Sequence, residues 1–204
     1  MSQPKTIVLA SGNPGKLREI AALVEDLQVE LRPQGELKIA DAVEDGLSFV
    51  ENALIKARHA AKYGGFPAIA DDSGIELDCL KGEPGIHSAR YAGVNATDKD
   101  NLDLLLENIM DIDDEPITGR FQCVMVYMRH ALDPVPLIAQ ASWEGQIIKE
   151  PRGKNGFGYD PVFYLPEYAC TSAELSPEVK NSISHRGRAL GKLVELLRSE
   201  LWNS

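Results

Sequence analysis

Ala70-Asp71-Asp72-Ser73-Gly74 is the stretch on which the reading of this chain turns. The apolar run Phe66-Pro67-Ala68-Ile69-Ala70 leads into it. A buried strand is therefore expected to end here, handing two adjacent carboxylates, a hydroxyl and a glycine to a turn. Strands of open α/β sheets deliver their last residues to a ligand crevice. Neighbouring aspartates repel, and a cation, a hydrogen-bond network or solvent must relieve them. On these five residues alone, a solvated Asp-Asp turn and a site for a hard cation fit equally well.

Upstream, Thr6 to Ala10 reads as a first strand. It passes into Ser11-Gly12-Asn13-Pro14-Gly15-Lys16, after which Leu17, Ile20, Leu23, Val24 and Leu27 recur at helical spacing. A helix start preceded by glycines offers backbone N–H groups to an anion, and Lys16 adds a mobile charge, so a phosphate is the natural guest. This is not a Walker A loop, because its glycines are too close and Leu17 stands where Ser or Thr would hold magnesium. An ordinary βα turn with a solvated lysine fits the same residues. Residues 28 to 43 read as one or two short strands with a Pro-Gln-Gly break, and Ala42 to Gly46 is an acidic turn that includes Glu44. A helix from about Leu47 to Tyr63 follows, ended by Gly64-Gly65. Asn52 and Lys56, four apart, share a face outside its apolar stripe.

Downstream, Ile75 to Leu80 alternates as a strand, and Lys81 to Gly85 is a turn cluster. Ile86 to Gly93 is a donor-rich loop. Thr97 caps a helix carrying Leu102, Leu105, Leu106 and Ile109. Arg120 to His130 and Pro136 to Lys149 are long β runs, expected to pair as an antiparallel hairpin. In Gly153 to Pro161, glycines frame Phe157; a ring on such hinges can stack a base, worth ~1–3 kcal/mol. A tight strand start with Phe157 and Tyr159 in the core is the bland alternative. Ser176-Pro177 opens a helix. Lys180, His185 and Arg186 form a basic cluster ahead of a terminal helix.

With 204 residues, the chain is expected to form a single domain over 1–204. A formal charge of −10 argues against a nucleic-acid partner, which needs a basic face. Three scattered cysteines support neither a disulfide framework nor a zinc site. No signal peptide or membrane span is visible, so a cytoplasmic location is the expectation. Taken together, the lysines, carboxylates, stacking ring and donors make up the parts of a nucleotide site.

The stretches SGNPGK (11–16), SFVENALIKA (48–57), ADDSG (70–74), PGIHSARYAG (84–93), GFGYDPVF (156–163) and SHR (184–186) closely resemble the inosine triphosphate pyrophosphatase family, the XTP/dITP diphosphatases. They run from the first strand to the last helix in family order. The resemblance implies an elongated α/β fold with a mixed, strongly twisted sheet and two lobes around a central cleft. It implies a homodimer that converts ITP, dITP or XTP to monophosphate and pyrophosphate. Ser11, Gly12, Asn13, Pro14, Gly15 and Lys16 would hold phosphates, with Lys56. Glu44 and Asp72 would hold Mg2+, with Asp71 close by. Asp72 would accept the proton of the attacking water. Ser73 and Asn52 would contact substrate. Phe157, Gly158, Tyr159 and Asp160 would wall the base, and Lys180, His185 and Arg186 would complete its pocket.

Overall fold

Seven strands form one mixed sheet in the order β2-β1-β3-β4-β5-β6-β7. They are β1 (Lys5–Leu9), β2 (Val29–Pro33), β3 (Ala68–Leu77), β4 (Ile117–Met128), β5 (Leu137–Ile147), β6 (Phe163–Leu165) and β7 (Cys170–Thr171). The helices are α1 (Phe49–Gly64), α2 (Asp98–Asn108), α3 (Pro177–Ile183) and α4 (His185–Trp202). This computed structural model describes residues 5–12, 16–17, 20–21, 29–113 and 116–202. Strand β1 pairs in parallel with β2 and β3, while β6 pairs antiparallel with β5 and β7. The expected helix after Lys16 is seen at residues 16–17 and 20–21; Leu23, Val24 and Leu27 lie outside the described residues.

The chain divides into two compact units. The first comprises Met1–Asp72, Cys123–Ala141 and Arg186–Ser204, and the second Ser73–Gln122 and Ser142–His185. In the first unit, strand alternation sorts the core into two faces. Ile7, Leu9, Ile69, Cys123 and Met125 pack with Leu190, Leu193 and Leu197 of α4. Val8, Ala10, Ala68, Ala70, Val124 and Val126 pack with Ala53, Ala57, Ala60 and Ala61 of α1. Odd-numbered residues of β1, β3 and β4 thus meet α4, and even-numbered ones meet α1, as a two-residue period requires. The alanines let α1 lie close to the strands. In the second unit, Ile75, Leu77, Leu105, Ile109, Phe121, Trp143, Tyr159, Val162 and Phe163 share one core.

Thr97, Ser176 and the Gly64-Gly65 end stand where turn chemistry put them, whereas α1 starts after a Ser48 cap at Phe49 rather than at the expected Leu47. Ser48 Oγ accepts from Glu51 N–H at the start of α1, and Gly65, at φ +70°, ends it with its N–H on Ala61 O. Thr97 and Asp100 form a reciprocal capping box on α2. Ser176 caps α3, with Pro177 at its first position.

The expected end of β3 is overturned. β3 does not end at Asp71-Asp72 but runs unbroken to Leu77, and Asp78–Leu80 is a single 3-10 turn. Asp-Asp-Ser-Gly is turn chemistry by composition. The side chains are met by cations from distant segments, so the strand continues through them.

β4 and β5 are sheet neighbours joined by residues 129–136. Asp133 holds this connection. Its Oδ2 accepts from Arg129 N–H and Nε at 2.9 Å each, and its Oδ1 from Arg129 Nη2 at 2.7 Å and Val135 N–H at 3.0 Å. The hydrogen bonds from Arg129 hold the carboxyl below the usual carboxylate range. Since the folded pKa lies below the unfolded one, near ~3.9, the stabilisation is complete above that value and is lost as pH falls through the folded pKa. Asp133→Ala is expected to cost about 2–3 kcal/mol at pH 7 in urea unfolding. The difference should shrink below about pH 4, where the parent loses the same bonds.

Candidate active site

The register β1–β3 pairs Val8 with Ala68 and Leu9 with Ile69, and Ala10 N–H donates to Ile69 O at 2.8 Å. Just past this pairing β1 gives way to half-buried Ser11 and exposed Gly12, while β3 carries Asp71 and Asp72. Alternation sends the two carboxylates to opposite faces. Asp71 falls on the α4 side, where Lys16 Nζ lies 2.9 Å from its Oδ2 and Arg186 Nε 3.5 Å from the same oxygen. Asp72 falls on the α1 side, where Lys56 Nζ lies 2.9 Å from its Oδ1 and 3.3 Å from Glu44 Oε2. The pair therefore escapes the repulsion expected of adjacent aspartates. Each has its own nearest cation, Lys16 for Asp71 and Lys56 for Asp72, while Lys56 also acts on Asp71 and Lys16 on Asp72.

The electrostatics follow this division. Burial pushes the Asp71 carboxyl up, but Lys16, Arg186 and Lys56 outweigh it and hold the group well below the usual range. Burial pushes Asp72 up, and the pull of Lys56 does not cancel it. Burial also acts to lower Lys56, yet Asp72, Asp71 and Glu44 keep its ammonium above the ordinary lysine value. Asp72 Oδ2 is buried with no hydrogen-bond partner among the described residues. One carboxylate is thus fixed as a counter-ion, while its neighbour is the stronger base and keeps an oxygen unused. On the Asp71 face, burial raises the Cys123 thiol to about 12, so it is no nucleophile at neutral pH.

The Nδ2 of Asn52 is buried with no hydrogen-bond partner among the described residues. Asn52 is fully buried, and its Oδ1 accepts from Gly46 N–H at 2.9 Å. A Cβ on Gly46 would come 2.7 Å from that oxygen, so glycine is required for the close approach. Asn52 thereby ties the segment bearing Glu44 to the start of α1. Asn13, Pro14 and Gly15 lie outside the described residues. The expected grouping of Asp71 with Glu44 and Asp72 is not formed. Among the described residues no three His, Cys, Asp or Glu side chains gather as a metal-ligand set. Strand alternation separates Asp71 from the other two.

In the second unit, which begins with half-buried Ser73, Asp160 is the hub of the glycine-rich loop. Its Oδ2 accepts from Lys180 Nζ at 2.7 Å and Phe157 N–H at 2.8 Å, and its Oδ1 from Ser172 Oγ at 2.8 Å. Asp160 is only 2% exposed, so it positions its neighbours rather than forming a wall. Lys180 Nζ is held 5.0 Å from the centroid of the half-buried Phe157 ring. Tyr159 is core, as the bland reading had it. Burial raises its phenol above the ordinary value, and its OH donates to Ser88 O at 2.8 Å. Gly158 N–H is anchored on Asp98 Oδ2 at 3.0 Å. His185 and Arg186 do not precede the terminal helix but form its first turn, and both are buried.

Ser172 was not visible as a site residue, because a lone serine at that spacing carries no signal. Ser172→Ala is expected to cost about 1–2 kcal/mol, since it leaves one oxygen of a buried carboxylate unmet. Thermal unfolding measures it.

The chain is a mixed, open-sheet α/β protein with buried carboxylate–lysine clusters. The Ham1 family pattern matches residues 7–196. Curated relatives named dITP/XTP pyrophosphatase include one from Photorhabdus laumondii, 54% identical over 95% of this chain and 98% of its own. Another, from Vibrio cholerae, is 53% identical over 96% and 98%. A solved HAM1 protein from Coxiella burnetii superposes with a TM-score of 0.89 at 51% identity, covering 96% of this chain and 99% of its own. The chain belongs to the Ham1 family. No helix among the described residues is long and apolar enough to cross a membrane.

Proposed function

We propose that this chain hydrolyses deaminated purine nucleoside triphosphates (dITP, ITP and XTP) at the α-phosphorus, giving nucleoside monophosphate and pyrophosphate. The names of its relatives support the substrate class. The observation that carries the chemistry is Asp72: a buried carboxylate with raised basicity and one unpartnered oxygen, beside Lys56 and Glu44.

A divalent cation fits these residues. Glu44 and Asp72 both turn carboxylate oxygens to one cationic centre, now Lys56 Nζ, and Asp72 Oδ2 is free to ligate. Glu44 and Asp72 would hold such an ion by carboxylate oxygens, the ligand type magnesium favours. When bound, such an ion draws charge from phosphate oxygens and acidifies water. Asp72 orients the attacking water and takes its proton as the new bond to the α-phosphorus forms and the α–β anhydride bond breaks. Lys16 and Lys56, with the Ser11–Lys16 segment and Ser73, meet the charge of the triphosphate. Phe157 stacks on the base. Lys180, His185 and Arg186 are the donors that complete the base pocket, and donors suit the six-carbonyl that adenine lacks. The chain works as one domain over 1–204, as a homodimer and on the cytoplasmic nucleotide pool.

The test is hydrolysis of dITP, XTP, GTP and ATP in 18O-water, with and without magnesium. Equimolar monophosphate and pyrophosphate from dITP and XTP are expected, with 18O in the monophosphate and no turnover in chelator. Release of orthophosphate, or label in the pyrophosphate, would refute the reading. Light scattering checks the dimer.

A further inference from the structure

Behind His185 the second unit builds an aromatic support. Phe121 of β4 lies flat on the imidazole, with ring centroids 4.6 Å apart and planes 10° apart. Trp143 of β5 lies 6.2 Å from the same ring at 23°, and 6.4 Å from Phe121 at 26°. Phe163 of β6 has no exposed surface and tilts against both, 4.6 Å from Phe121 and 5.1 Å from Trp143. Phe163 in turn needs Gly145, where a Cβ would come 2.6 Å from its ring. Phe121 is therefore held from behind by packed rings and cannot tilt without moving them.

The torsion that sets the plane of a histidine ring is soft and broad. Hydrogen bonds weaken steeply once the donor swings away from its acceptor. A donor fixed in direction can reject a base that offers the wrong group there, whereas a donor free to tilt accommodates both.

We propose that Phe121 is a positioning residue for base selectivity: lying flat against His185, it fixes the imidazole plane and so aims the ring at the purine. The inference rests on the proposed function, in which His185 meets the base. Phe121 acts through His185 and does not touch substrate.

Phe121→Leu keeps apolar bulk but removes the flat ring, and Phe121→Tyr keeps the ring. Steady-state kinetics with dITP and dATP are compared for both. For Phe121→Leu, KM for dITP is expected to rise about tenfold with kcat within about threefold, and the dITP-over-dATP preference to fall about tenfold. Phe121→Tyr should retain the parent preference. A merely structural Phe121 would lower the melting temperature and leave the preference unchanged, which would overturn the inference. Should Phe121→Leu not fold, Trp143→Leu carries the test, with a drop in preference of about threefold expected and an unchanged ratio overturning it. Pyrophosphate release from dITP by the parent is measured first. Its absence would strike the proposed function, not the role of Phe121.

Discussion

Asp72→Asn is expected to lower kcat for dITP by about 10²–10⁴-fold, the range for losing a positioned general base, with little change in melting temperature. Asparagine keeps the shape and can still accept from Lys56, which also retains Glu44. What disappears is the proton acceptor and one negative charge. Removing a buried charge relieves the desolvation that raises this carboxyl, and that gain offsets part of the lost ion pair. Kinetics with dITP beside thermal unfolding separate the two effects. Turnover within tenfold of the parent would remove Asp72 from the chemistry.

Asp71→Asn, one residue away, is expected to do the opposite kind of damage. Its carboxylate is 1% exposed and answers both Lys16 and Arg186 on one oxygen. Removing one member of a buried ionic cluster costs about 3–5 kcal/mol, because the remaining charges keep their desolvation and lose their compensation. Urea unfolding of Asp71→Asn should show a loss in this range, and that of Asp72→Asn much less. Equal destabilisation by the two would mean that the faces of β3 do not divide the roles.

Local chemistry made much of this fold legible. Thr97 and Ser176 mark helix starts by their own side chains, and Gly65 marks an end by its backbone. Such signals need no knowledge of the rest of the chain. The course of β3 was not legible, because Asp71 and Asp72 are turn formers until Lys16 and Lys56 arrive from segments remote in sequence. The same reason hid the role of Asp160. Its partners Ser172 and Lys180 lie 12 and 20 residues on, so the loop reads as display when its carboxylate is an anchor. Glu44 and Asp72, which the resemblance places on one ion, both lie against Lys56, a proximity no local pattern carries. Asp71 was grouped wrongly with them, although strand alternation, applied to a longer β3, would have set it apart.

The faces of β3 have a consequence for how this segment can change. Asp71 and Asp72 are chemically identical, and only parity along the chain distinguishes them. Deleting one residue between Ala68 and Asp71 would put Asp72 in the place of Asp71 and Ser73 in the place of Asp72, leaving Lys56 on the α1 side without its carboxylate from β3. A change of length here therefore costs one of the two carboxylates its place unless a substitution restores it.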